Sequence, residues 1–389
     1  MDQVRIGVIG IGNMGTKHCE NIAAGKVPGM VLNAVCDINP ERLTWAKKEL
    51  PETVARFSDA EAMMTSGRID AVLVATPHYL HPPLVIRALQ LGLHALSEKP
   101  AGVYTKQVRE MNEAAAKSGK VFAIMFNQRT DPYYRRMKRI VSSGEMGAVK
   151  RTNWIVTDWY RPQCYYDSGS WRATWAGEGG GVLLNQCPHN LDLWQWICGM
   201  PSRVRAFCHN GKWHDIEVED DVTAYVEYPN GATGVFVTST ADAPGTNRFE
   251  ITLEGGKLVY EDGRLLQYKL GMNEREFCRT ATLPFQWPKA VRTEIREDGH
   301  GLQHVGVLRA FAGAILRGEP LVAPGAEGIK GLTLSNAMHL SSWLGKTVEL
   351  PLDEDLFYAE LQKRAASSKR KSVRPVLADT GGTYGGPKA

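Results

Sequence analysis

The chain has 389 residues, 43% of them hydrophobic and 23% charged, with a net charge of +4. That composition belongs to a globular protein long enough for two cores, and no apolar run approaches the ~18 residues of a membrane span. From Lys363 onward seven basic residues face one acid, a tail of +6 that leaves residues 1–362 at −2, so a nucleic-acid or membrane footprint is excluded as a property of the fold. Seven cysteines, an odd number without a C-x-x-C pair, fit reduced thiols in a cytoplasmic protein better than disulfides or a zinc site. The N-terminus enters a charged strand directly, so no signal peptide is expected.

Val4 to Ile9 is a short β-branched run that ends in G-x-G-x-x-G at Gly10, Gly12 and Gly15, and His18 to Ala24 then reads as helix. Strand, glycine turn and helix in that order form the dinucleotide fingerprint. Gly10 makes the tight turn, Gly12 admits a pyrophosphate beside Asn13 and Met14, and Gly15 lets the helix sit close on the sheet. A second apolar run, Val31 to Cys36, ends in Asp37, whose carboxylate suits a ribose diol and repels a 2′-phosphate, favouring NAD over NADP. Further strands end at Thr76-Pro77-His78, at Glu98-Lys99-Pro100 and at Asn127-Gln128-Arg129, with helices between them. The alternation predicts a doubly wound parallel sheet over 1–128, with its ligands beyond the carboxyl ends of the strands.

After a helix over Asp131 to Ser143 the pattern changes to alternating runs joined by turns such as Pro229-Asn230-Gly231, which predicts an α+β domain over 129–362 with a large, mostly antiparallel open sheet. An apolar helix, Asn190 to Cys198, interrupts it. Late helices over Leu302 to Leu316 and Ala326 to Leu344 close the fold and are candidates to pack back on the first domain. Residues 363–389 read as a basic, Gly-rich extended tail.

Three motifs in order, G-x-G-x-x-G, Glu98-Lys99-Pro100 and Gly179-Gly180-Gly181 running on to Asn185-Gln186-Cys187-Pro188-His189 and Asp192, resemble the Gfo/Idh/MocA oxidoreductases over residues 1–350. The resemblance implies a Rossmann domain, an open-sheet domain used for homo-oligomer contacts in dimers or tetramers, and NAD(P)-linked oxidation of sugar or cyclitol alcohols. The Asn-Gln-Cys-Pro-His form is similar to that of levoglucosan dehydrogenase and the glycoside 3-dehydrogenases. It implies that Lys99 is the cleft lysine, partly buried and so lowered toward neutral pH for proton transfer. Pro100 is implied to be cis. Thr76, Pro77 and His81 match family cofactor contacts; His78, Glu98 and Asn127 are grouped with them, and Gln128 with the substrate.

His189 falls on the family histidine, as proton acceptor or as sharer of the hydroxyl proton with Lys99. Asn185 stands where the family usually has aspartate. It cannot hold negative charge, but it can donate to and accept from a sugar hydroxyl. Helical spacing would put Asn185 and His189 on one face. Asp192 is either a second orienting group or a helix-turn carboxylate. Residues 154–175 hold seven aromatics, among them Tyr160, Tyr165 and Trp171, with Arg161 and Arg172 between them, for sugar contact or for packing. His304 is placed at the substrate pocket, and no metal set is expected. These readings favour an NAD-dependent sugar dehydrogenase acting on a secondary ring hydroxyl, such as C3 of a glucoside or anhydrosugar. An inositol dehydrogenase, a redox-neutral NAD-dependent glycosidase with Tyr160 or Tyr165 as extra base, and a non-catalytic cofactor-binding regulator are the alternatives.

Overall fold

The computed structural model describes residues 2–369, so most of the basic tail lies outside the described residues. Strands β1 (Val4–Ile9), β2 (Met30–Cys36), β3 (Ala55–Phe57), β4 (Ala71–Val74), β5 (His94–Ser97) and β6 (Phe122–Ile124) alternate with α1 (Asn13–Ala23), α2 (Pro40–Glu49), α3 (Ala60–Thr65), α4 (His81–Gln90) and α5 (Thr105–Ser118). The sheet order is β3-β2-β1-β4-β5-β6, all parallel. β4 is buried at every residue, as an apolar run covered on both faces requires. The order reverses between β1 and β4, which opens the ligand crevice at the ends of those two strands.

Helix α6 (Pro132–Ser143) leads to the second sheet: β7 (Val149–Val156), then α7 (Gln163–Tyr166) and α8 (Pro188–Cys198), then β8 (Arg203–Asn210), β9 (Glu219–Glu227), β10 (Thr233–Ser239), β11 (Asn247–Leu253), β12 (Gly256–Glu261) and β13 (Arg264–Leu270). After α9 (Glu274–Thr280) come β14 (Ala290–Ile295), α10 (Gln303–Arg317), α11 (Gly328–Leu344), β15 (Val348–Glu349) and α12 (Glu354–Ala366). The nine strands run β14-β13-β12-β11-β7-β10-β9-β8-β15. Every neighbour is antiparallel except β7 with β10, because the chain leaves β7 through the α7–α8 excursion and re-enters at β8, with two strands left between.

The structure departs from the sequence reading in four places. α7, α9, β14, β15 and α12 are not expected from the sequence. The last helix runs on to Ala366, so residues 363–366 are helical rather than part of an extended tail, and Ser368 Oγ donates to Glu217 (2.6 Å). The helix after the glycine motif begins at Pro188, where a proline without an N–H fits the first turn, so Asn185 sits in the preceding turn and does not share a helix with His189. The aromatic cluster is largely packing: Trp154 stacks on Phe249 at 4.2 Å, Tyr166 donates to Thr240 (2.7 Å), and Trp175 lies edge-on to Trp343.

Two apolar cores result. One joins α4, α5, α8, α11 and the inner face of the second sheet. The other lies on the opposite face of the parallel sheet, where Val307, Leu308, Phe311 and Ala312 of α10 pack against β1, β2 and α1. Among the described residues no helix is long and apolar enough to cross a membrane.

Candidate active site

The glycine turn is fixed by space. Gly10 has φ +85°, and a Cβ on Gly15 would lie 1.8 Å from the Gly10 carbonyl oxygen, so α1 can start only on a bare glycine. A Cβ on Gly12 would meet nothing within 4 Å, an open approach of the kind a pyrophosphate needs. Asn13 and Met14 open the helix there. Asp37 accepts from the Ile11 and Asn39 amides, both at 2.8 Å, which fixes its carboxylate beside the turn with lone pairs to spare for a ribose diol. Two buried oxygens near the strand ends have no hydrogen-bond partner among the described residues: Thr76 Oγ1 and Asn127 Oδ1. Buried polar atoms of this sort are normally satisfied, so they are the natural partners of a bound polar group, and the residues fit a dinucleotide. Asp37→Ser is expected to weaken NAD binding about tenfold, with less effect on NADP, because an ion-assisted contact to the diol contributes about 1.5 kcal/mol. Fluorescence titration with NADH and NADPH checks it, and equal losses for both would sink the assignment.

The Glu98-Lys99-Pro100 turn is held from several sides. Glu98 Oε1 pairs with His18 Nε2 at 2.6 Å and its Oε2 accepts from the Lys99 amide at 3.1 Å. Burial opposes its charge, but the His18 contact outweighs that and brings Glu98 down to about 2. The Lys99–Pro100 peptide is cis. Each ring nitrogen of His81 lies 2.7 Å from a carbonyl, those of Pro100 and Thr76, so this residue sits between two of the strand-end loops. Asn336 of α11 accepts from the Thr105 amide (3.1 Å) and donates to the Val103 carbonyl (3.0 Å), which clamps the loop that follows.

Lys99 itself is partly buried. Its Nζ donates to the Asn185 carbonyl at 2.9 Å. Burial is the largest influence on its ammonium and lowers it; Glu98 pulls the other way, and Arg172 and Arg161 add to the lowering. His189 is buried beside it, well below its ordinary pKa through burial and then the Lys99 charge, and its Nδ1 has no hydrogen-bond partner among the described residues. The turn that brings Asn185 here is set by Glu219 of β9, which accepts from the Gly181 and Leu183 amides (2.9 and 3.0 Å). A Cβ on Gly181 would strike the Glu219 carbonyl at 1.9 Å.

The Tyr165 hydroxyl gathers one wall. It donates to Asn185 Oδ1 (3.3 Å) and accepts from Arg172 Nη1 (2.9 Å) and Gln186 Nε2 (3.3 Å). The Arg172 guanidinium also lies over the Trp171 ring, whose other neighbour is His78, edge-on at 5.4 Å. His78 thus faces the 171–178 segment, with Nδ1 3.2 Å from the Glu178 carbonyl, rather than standing alone at the crevice. Lys99, His78, Asn185, Tyr165, Trp171 and Arg172 therefore form one assembly.

Other expected members lie apart. Asp192 is fully buried, with both carboxylate oxygens taken by Arg129 at 2.7 Å and one also by Gln195. It is an ion-pair residue and has no oxygen facing the crevice. His304 stands 5.7 Å from His18, behind Glu98, where burial pushes it down to about 3. It also lies within electrostatic reach of Lys99 and His189. Tyr160 is half exposed, and Gln128 sits in the short turn after β6. One residue of the assembly escaped the sequence reading: Glu178, whose carboxylate touches Asn185 and Ala173. Its only signal was a lone acid inside a glycine run.

Two family models match this chain, one described as an oxidoreductase family NAD-binding Rossmann fold over residues 4–126 and one as a GFO/IDH/MocA C-terminal domain over 134–259. An inositol 2-dehydrogenase of Rubrobacter xylanophilus is 34% identical over 355 residues, 86% of this chain and 90% of that protein. A levoglucosan dehydrogenase of Pseudarthrobacter phenanthrenivorans is 25% identical over 292 residues, 67% of this chain and 74% of that one. The WlbA dehydrogenase of Bordetella pertussis, crystallised with NADH and UDP-GlcNAcA, superposes with a TM-score of 0.76 at 26% identity, covering 90% of this chain and all of its own. With both domains matched in order and a crevice that fits a dinucleotide, the chain belongs to the Gfo/Idh/MocA oxidoreductases, an NAD-binding dehydrogenase of the sugar and cyclitol type.

Proposed function

We propose that the protein oxidises a secondary ring hydroxyl of a pyranose, as at C3 of a glucoside or anhydrosugar, to the ketone. The observation that carries this reading is Lys99: a partly buried amine of lowered basicity whose N–H is committed to a carbonyl. A neutral lysine held that way keeps its lone pair for the hydroxyl proton of a substrate. NAD, when bound, supplies the hydride acceptor. His189, with its unmatched Nδ1, takes a share of the same proton or hydrogen-bonds the nascent ketone oxygen. Arg172, which the Tyr165 hydroxyl holds in place, meets a neighbouring hydroxyl, and the Trp171 face packs on ring C–H groups. A cyclitol substrate is the second reading, favoured by the 34% identity to an inositol dehydrogenase.

The test is NADH formation at 340 nm with levoglucosan, methyl and aryl glucosides, glucose, myo-inositol and scyllo-inositol. NADH with a glucoside or levoglucosan supports the first reading, and NADH with an inositol alone supports the second. Aglycone release from an aryl glucoside without NADH would overturn both in favour of a redox-neutral glycosidase.

The open sheet carries the same reading into assembly. Phe207, Tyr225, Val235 and Ile155 are exposed on β8, β9, β10 and β7, a contiguous apolar face of the kind that pairs with a second copy. Tyr225→Glu is expected to shift the protein to a smaller species in light scattering after size exclusion. An unchanged mass would move the contact elsewhere.

A further inference from the structure

We propose that Glu178 is a positioning residue that supplies, through Asn185, the negative charge that Asn185 lacks, and so orients Asn185 and holds the Lys99 proton equilibrium in its working range. The inference rests on the dehydrogenase reading of the site. Glu178 is 2% exposed. One carboxylate oxygen accepts from Asn185 Nδ2 and the other from the Ala173 amide at 2.6 Å, while Arg172 Nη1 stands 3.9 Å away. Among the described residues, the hydrogen bonds its oxygens make are all from donors, the arrangement that suits the anion. Burial, the largest influence, raises its pKa on balance and the Glu219 carboxylate adds to that; Arg172, the Ala173 amide and Asn185 work for the charge.

Asn185 connects this anion to the chemistry at both of its ends. Its backbone carbonyl receives Lys99 Nζ, and its side-chain amide is oriented by Glu178 so that Oδ1 meets the Tyr165 hydroxyl. Were the amide reversed, Asn185 would present a donor to Tyr165 and two acceptors would collide at Glu178. Other charges also surround Lys99. Glu98 favours the Lys99 ammonium from the other side of the site, more strongly than Glu178 does, while paired with His18. Glu219 is held by the Gly181 and Leu183 amides and by His339. Arg161 and Arg172 disfavour the ammonium, and the rings of His78, His81, His189 and His304 are kept below their ordinary pKa by burial. Glu178 is thus the acid of the 171–189 segment left to balance Lys99 against the two arginines.

The experiment follows Lys99 directly by carbon NMR of protein labelled at lysine Cε, the resonance assigned by its loss in Lys99→Arg. In Glu178→Gln the Lys99 midpoint is expected to fall by about one pH unit, since an anion that favoured the ammonium is gone. The acid limb of the kcat/KM profile should move down with it. In the swapped pair Glu178→Gln with Asn185→Asp, a carboxylate returns at position 185, the amide introduced at position 178 donates to it, and both midpoints should return to the wild-type value. A folded Glu178→Gln protein with an unmoved Lys99 midpoint overturns the proposal. If that variant unfolds, the swapped pair decides: a wild-type midpoint supports the proposal, and one displaced by about one unit or more overturns it. Silence of every hydroxyl substrate, with a Lys99 midpoint that still moves, would sink the dehydrogenase reading and leave the electrostatic role standing.

Discussion

Lys99→Met is expected to lower kcat/KM for the preferred sugar about 10³-fold while NADH still binds. A positioned base contributes ~10²–10⁴-fold, so a loss of about 10³ corresponds to about 4 kcal/mol of transition-state stabilisation. Methionine fills the partly buried stem without clashing and leaves only the Asn185 carbonyl short of a donor. The pH profile of the wild type sharpens the test. Because burial lowers the Lys99 ammonium, the neutral amine persists to lower pH than for an ordinary lysine, and activity should fall as pH drops through that lowered value. The variant should lack this limb. A loss of less than about tenfold would shift the base to His189, whose own substitution would then show the larger effect.

The second large effect is on stability. Asp192→Asn is expected to destabilise the fold by about 3–5 kcal/mol, read as a lower midpoint in urea with an unchanged slope. Arg129 is the reason. Its side chain is 2% exposed, bound twice by Asp192 and once by Glu327 of the turn before α11, over the rings of Trp196 and Phe126. Burial disfavours its charge, and the hydrogen bonds and attraction of the two carboxylates more than restore it. Losing the Asp192 charge leaves a buried guanidinium with one half-covered partner. The double variant Asp192→Leu with Arg129→Met should recover most of the loss, since an apolar pair of similar volume removes both desolvation costs. A change below about 1 kcal/mol in Asp192→Asn would return this carboxylate to a role in substrate orientation.

What the sequence discloses here is what is local. The G-x-G-x-x-G turn, Asp37 at the end of β2 and the Glu98-Lys99-Pro100 turn each declare themselves within a few residues, because backbone space and strand order alone define them. Alternation of apolar residues likewise revealed the two kinds of sheet. Roles that depend on contacts across the chain stayed hidden. Asp192 reads as a site acid until Arg129, 63 positions earlier, is seen to take both its oxygens. His81 reads as a cofactor ligand, and only the fold shows its ring set between the Pro100 and Thr76 carbonyls. Glu178 carries no periodic signal at all, and its meaning comes from folding back on Asn185. The Asn185–His189 spacing misled for a local reason: Pro188 starts the helix, and the turn before it follows its own geometry.

Helix α10 gives the chain an order of events in the cell. The face of the first sheet that Val307, Leu308, Phe311 and Ala312 cover is complete as strands once β6 has been made, yet its cover is encoded far downstream. At ~5–20 residues per second, the roughly 180 residues in between take on the order of 10–40 s to emerge from a ribosome. Throughout that interval the part of this face that α10 later covers offers bare apolar surface beside α1 and α2. A nascent chain stalled before residue 303 should therefore be a client for hydrophobic-binding chaperones, and one stalled well past residue 317 should not.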